Sequence, residues 1–167
     1  MEFRIRTTGA VMLEDELRRW AKDNGGPSWD RTTDEVLEAL GADVVFEGPQ
    51  ATGGTVYQFS MRQGVEQVDG KWYTKHVLGP IFTDRPATET EPAQTAAEQE
   101  AAYKAQKDAE QAKAVRADRN KRLADSDWTQ VADAPVDKAA WAAHRQALRD
   151  VTAQEGFPWN VQWPEQP

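Results

Sequence analysis

Thirty consecutive residues, Thr95 to Ala124, contain no glycine or proline and consist mostly of Ala, Glu, Gln, Lys and Arg. These are the strongest helix formers, so the run predicts one continuous helix about 45 Å long. Its charges are ordered to suit the helix dipole. Glu98, Glu100, Asp108 and Glu110 occupy the first half, and Lys113, Arg116, Arg119, Lys121 and Arg122 crowd the end. Ala102, Ala105, Ala109, Ala112 and Leu123 follow a heptad-like step. An alanine seam packs closely but buries little area per residue, so two readings stand: a solvated spacer, or a weak coiled coil between identical copies or against a fibrous partner.

The composition changes abruptly on the N-terminal side of the rod. Residues 85–94 combine two prolines with Thr and Glu and no large apolar group, which predicts an extended linker. Residues 1–84 read as a small α+β domain. Phe3 to Thr7 alternates as a half-buried strand, and Val11 to Ala21 carries Met12, Leu13, Leu17 and Trp20 at helical spacing. A second helix is framed by Thr32 as cap, Glu35 three residues on, an apolar face of Val36, Leu37 and Leu40, and Gly41 as terminator. Strands are expected at Asp43–Glu47, Thr55–Met61 and Lys71–Val77, with Val65–Val68 between and Asp69-Gly70 as the hairpin turn. The expected sheet is antiparallel, with three or four strands.

Chemistry-bearing patterns are sparse. There are no cysteines, which removes disulfides, thiolate metal sites and cysteine nucleophiles. Net charge is −8, against the Lys/Arg surplus that nucleic-acid binding needs. No run approaches the ~18 apolar residues of a membrane span, and the opening MEFRIRTTGAV lacks the apolar core of a signal peptide, so no membrane association is expected. Gly64 and Gly70-Lys71 superficially suggest a phosphate loop, but the spacing is one residue too long and Trp72 stands where a magnesium-binding hydroxyl belongs. His76 has no second histidine near it, and Glu14-Asp15-Glu16 cannot share one helical face. The expectation is a protein that is not an enzyme, with no cofactor and no metal; a cell-wall hydrolase would need paired catalytic groups.

The C-terminal run from Arg116 to Pro167 holds four of the seven tryptophans. Asp125-Ser126-Asp127 breaks the rod, Asp137 caps a new helix after Pro135, and Gly156 and Pro158 end it. On that helix Trp141, Leu148 and Thr152 share a face flanked by Arg145 and Arg149. The expectation is a hairpin of two antiparallel helices with Trp128 plugging the gap, followed by an extended aromatic tail. Trp128, Trp141, Arg145, Arg149, Phe157, Trp159 and Trp163 are the candidate protein-binding residues, because aromatics and Arg dominate interfaces. For a module this small, Trp128, Trp141 and Trp159 could equally complete its own core.

The order and spacing are specific. Arg119-x-x-Arg122-Leu123-Ala124-x-x-Asp127-Trp128-Thr129-Gln130 is followed by Trp141-Ala142-x-His144-Arg145-Gln146-x-Leu148-Arg149-Asp150. Gly156-Phe157-Pro158-Trp159-Asn160-Val161-x-Trp163-Pro164 completes the pattern. Residues 116–167 thereby resemble the C-terminal domain of bacteriophage tail assembly chaperone proteins, a family usually encoded beside tail-fibre genes. The resemblance implies a non-enzymatic factor that holds a tail or fibre protein in the host bacterial cytoplasm. The folded N-terminal block and rod leave open a virion component, a tail-fibre or baseplate adaptor.

Overall fold

The computed structural model describes residues 1–167, which divide into two compact units, Met1–Ile81 and Phe82–Pro167. The architecture is mixed α+β, with a sheet in the first unit and a long helix in the second. No helix is long and apolar enough to cross a membrane.

The first unit contains β1 (Glu2–Ile5), β2 (Val11–Leu13), α1 (Glu14–Asp23), α2 (Asp34–Leu40), β3 (Ala42–Phe46), β4 (Phe59–Val68) and β5 (Lys71–Gly79). The sheet order is β2-β1-β3-β5-β4. All pairings are expected to be antiparallel, but β3 and β5 pair in parallel, with Val45 beside Trp72 and Phe46 beside Tyr73. The sheet is therefore five-stranded and mixed rather than the expected antiparallel one. The reason is a crossover: the segment after β3 passes across β5, and Gly48 donates its backbone N–H to Thr74 Oγ1 at 2.8 Å. A Cβ at Gly48 would stand 2.1 Å from the Thr74 carbonyl oxygen, so only glycine permits that approach.

Alternation along β1 sends Phe3 and Ile5 to the face covered by α1 and α2, where they are buried with Leu17, Ala21, Leu37, Leu40 and Ala42. The other face is ionic and aromatic. Glu2 accepts two bonds from Arg62, at 2.7 and 2.6 Å, and the Arg4 guanidinium lies 3.9 Å from the centre of the Trp72 ring. The Arg62 hydrogen bond holds the Glu2 carboxyl below the ordinary carboxylate range.

Several boundaries shift from the sequence expectation. Val11–Leu13 is a strand, paired antiparallel with β1, and the helix starts at Glu14. The cap of α2 is Thr33, whose side chain accepts from Val36 N–H, while Thr32 bridges the Trp29 indole N–H and Glu14 Oε1. Gly41 does end α2 in the left-handed conformation (φ 61°). Thr55–Gln58 is a turn closed by Gln58 N–H to Thr55 C=O, and Val65–Val68 is the second half of one long strand β4. A bulge between Arg62 and Val65, with Gly64 at φ 79°, lets that strand bend. Asp69 (φ 48°) and Gly70 (φ 77°) form the β4–β5 turn in the conformation that a two-residue hairpin demands.

The second unit opens with a segment that is not extended. Arg85 and Gln94 exchange two backbone hydrogen bonds (2.8 and 2.9 Å), and Arg85 also reaches Gln94 Oε1 and Glu91. The intervening residues 86–93 are thus a closed loop. The residues just before the loop are docked on the following helix: Asp84 Oδ1 accepts from Ala96 N–H, Gln99 donates to Thr83 C=O, and Phe82 packs 5.6 Å from Tyr103. Helix α3 (Ala96–Asp125) starts at a capping box between Thr95 and Glu98 and spans the alanine-rich run. Its buried positions are Ala112 and Val115; Ala102, Ala105 and Ala109 of the expected seam remain exposed. Helix α4 (Lys138–Asp150) starts at Asp137, whose Oδ1 accepts from Ala139 and Ala140 N–H.

Candidate functional site

The joint between α3 and α4 is polar and fully connected. The Ser126 hydroxyl, 2% exposed, donates back to the last-turn carbonyls of Arg122 and Leu123, and Thr129, wholly buried, donates to Ser126 C=O at 2.7 Å. Arg145 enters from α4. Its Nη1 donates to Leu123 C=O and Ser126 Oγ, both at 2.7 Å, and its Nη2 donates to Asp127 Oδ1 at 2.7 Å. A guanidinium at a helix C-terminus answers both the orphaned carbonyls and the negative end of the dipole. Arg145 is 8% exposed and its bonds lie within the chain, so it positions the joint rather than facing a partner.

Trp128 does not plug this gap. The short 3-10 turn Asp127–Gln130 sends Thr129 inward and leaves Trp128 52% exposed. The Trp128 ring leans on Trp141, with centroids 6.1 Å apart at 59°, and Trp141 in turn meets His144 edge-on at 5.5 Å. His144 is 7% exposed and its Nδ1 has no hydrogen-bond partner. The loop from Val131 to Val136 is tied down by Lys138, whose Nζ donates to the carbonyls of Val131 and Ala132. The buried face of α4 runs through His144, Arg145 and Leu148 and continues to Val151; Thr152 is only half-buried. The helix ends at Asp150, and a 3-10 turn, Val151–Ala153, rotates the face by one residue.

Beyond Ala153 the chain turns back along α3. Trp159 Nε1 donates to Asp108 Oδ1 at 2.6 Å, Arg116 lies over the Phe157 ring (5.4 Å), and Arg122 lies over the Trp163 ring (4.3 Å). Gln154 and Gln162 exchange two bonds of 2.8 Å, closing the segment between them. Gly156 sits under this turn, where a Cβ would be 2.2 Å from Asn160 C=O. Replacing Trp159 by Phe keeps an aromatic ring, though a smaller one, and deletes the bond to a half-buried carboxylate. Urea unfolding should then show the second unit destabilised by about 1–2 kcal/mol.

The seven candidate residues thus fall into groups. Exposed Trp128 and half-buried Trp141 form a ledge at the corner between the helices, and Arg149 is exposed in the last turn of α4. Arg145 is interior, and Phe157, Trp159 and Trp163 are half-buried against α3. Ser126 and Thr129 were missed as core residues; the available signal was hydroxyl side chains directly after a helix end, where they can serve its free carbonyls. In the first unit, His76 Nε2 lies 3.2 Å from Gln50 Nε2 and 3.6 Å from Glu47 Oε1. No group of three or more His, Asp or Glu side chains converges to hold a metal ion.

A family model described as phage tail assembly chaperone protein matches residues 112–167, from the middle of α3 to the end of the aromatic segment. The match ties this region to phage tail assembly in general. No curated protein and no solved structure matches the chain.

Proposed function

We propose that this chain is a non-enzymatic phage tail assembly factor that holds a tail or fibre protein through its C-terminal aromatic module while that protein folds or is attached. The observation that carries this reading is the coincidence of the family match over residues 112–167 with an exposed tryptophan, Trp128, that leans on the half-buried Trp141. Trp128, Trp141 and Arg149 supply contact surface, since large aromatics and Arg concentrate binding energy. Phe157, Trp159 and Trp163 shape the module by clasping α3, and Arg145 fixes the angle at which the ledge is presented. Co-expression with a tail-fibre protein of the same phage should raise the yield of soluble, assembled fibre protein. An unchanged yield would sink the reading.

A second reading, a virion adaptor, is favoured by the division into two units, the first of which lies wholly outside the family match. Each unit would then hold its own tail protein. Mass spectrometry of purified particles separates the two: a stoichiometric copy number supports the adaptor, and absence supports a factor that leaves after assembly. The exposed Ala102, Ala105 and Ala109 would be the seam if two copies pair along α3.

A further inference from the structure

The corner that carries Trp128 has an unusual charge balance. Residues 125–137 contain four aspartates (Asp125, Asp127, Asp133 and Asp137) and no lysine or arginine. Three cations around this corner are engaged within the chain: Arg145 is buried in the joint, Lys138 is bonded to the loop carbonyls, and Arg122 pairs with Asp118 and lies over Trp163; Lys121 stands exposed four residues before Asp125. Apolar surface stands within this acidic stretch, with Trp128 and Val131 each 52% exposed.

Elsewhere in the molecule, several aromatic faces carry a cation from the same chain. Arg4 covers Trp72, Arg18 covers Trp29, Arg116 covers Phe157 and Arg122 covers Trp163. Trp128 contacts an aromatic neighbour instead, Trp141. An indole face attracts a cation through its quadrupole, and nearby carboxylates add to the attraction. Arg145 and Lys138 hold the corner rigid, so a partner would meet a preorganised surface.

We propose that the corner between α3 and α4 docks an apolar segment bearing Lys or Arg on the tail protein, whose cation rests against Trp128 within reach of Asp125 and Asp133. This rests on the assembly-factor reading and gives its partner a chemistry. Rim carboxylates steer encounter and are screened by salt, so binding weakens as ionic strength rises.

The test uses the full chain labelled with 15N, following the indole N–H resonances of its seven tryptophans. The probes are an alternating Leu-Lys octapeptide and its Leu-Glu counterpart. The Leu-Lys peptide should shift the Trp128 and Trp141 resonances, and the Leu-Glu peptide should not. Asp125 and Asp133 are exposed, so the double variant D125N/D133N spares the joint and should weaken Leu-Lys binding about three- to tenfold. Equal binding of both peptides, shifts confined to other tryptophans, or an unaffected D125N/D133N would overturn the proposal. In co-expression with the fibre protein, loss of the gain in Trp128→Ala supports the surface. An undiminished gain in that variant overturns the surface while leaving the assembly role standing. No gain with the unaltered chain counts against the assembly role alone, and the peptide titration still decides the surface.

Discussion

Phe3→Ala is expected to destabilise the N-terminal unit by about 3–5 kcal/mol, the range for deleting a buried aromatic and leaving a cavity. Phe3 is 1% exposed and sits on β1, which pairs with β2 on one side and β3 on the other. Its ring is part of the cluster with Leu17, Ala21, Leu37 and Leu40, so α1 and α2 both lose contacts when it is removed. The backbone hydrogen bonds hold the strand in register, and little collapse into the cavity is available. A unit of 81 residues has a total stability of roughly 4–12 kcal/mol at the usual range per residue. The loss is therefore a quarter or more of the unit's stability, and nearly all of it at the low end of that range. Urea titration followed through the Trp20 and Trp29 indole resonances, which report residues packed on this core, reads the effect directly. A shift equivalent to less than about 1 kcal/mol would mean that the cluster is not the core of the unit. Phe3→Leu, which refills most of the volume, should recover the larger part of the loss.

What the sequence made legible divides by the range of the interaction. Local backbone chemistry could be read: Gly41 ends α2 because a left-handed residue is needed there, Asp69-Gly70 turns β4 into β5, and Asp137 caps α4. The continuous α3 could be read from propensity alone. Features decided by distant partners could not. Val11-Met12-Leu13 fits a helix face or a strand equally well, and its pairing with Arg4-Phe3-Glu2 selects the strand. The parallel β3–β5 pair depends on the chain crossing β5 at Gly48, an approach that sequence order does not encode. Residues 85–94 look like a linker by composition and are closed into a loop by one Arg–Gln pair. At the candidate site, residue types did not give the direction each side chain faces. Trp128 is out and Thr129 is in because a four-residue 3-10 turn intervenes, and this reverses the expectation from size and hydrophobicity.

The second large effect concerns Arg145. Truncation to alanine should destabilise the C-terminal unit by about 2–4 kcal/mol, chiefly because Leu123 C=O and the Ser126 hydroxyl lose a charged donor inside the fold. The ion pair with Asp127 adds little of this, since the Asp127 side chain is 67% exposed and water screens it. Two further variants separate packing from polar satisfaction. Arg145→Met restores most of the volume but none of the donors, so it should remain nearly as unstable as the alanine variant if hydrogen bonding governs the joint. Arg145→Lys keeps the charge but lacks the planar fork that reaches Leu123, Ser126 and Asp127 together, and it should recover only part of the loss. A methionine variant as stable as the unaltered chain would show that the joint is held by packing, as some buried ion pairs are when replaced by apolar groups. The prediction bears on function because Arg145 joins α4 to the residues flanking Trp128. If the ledge must be presented at a fixed angle, Arg145→Lys should lower the yield of co-expressed fibre protein at a temperature where the unit is still folded. Trp159→Phe, which loosens the tail and leaves this joint intact, should not.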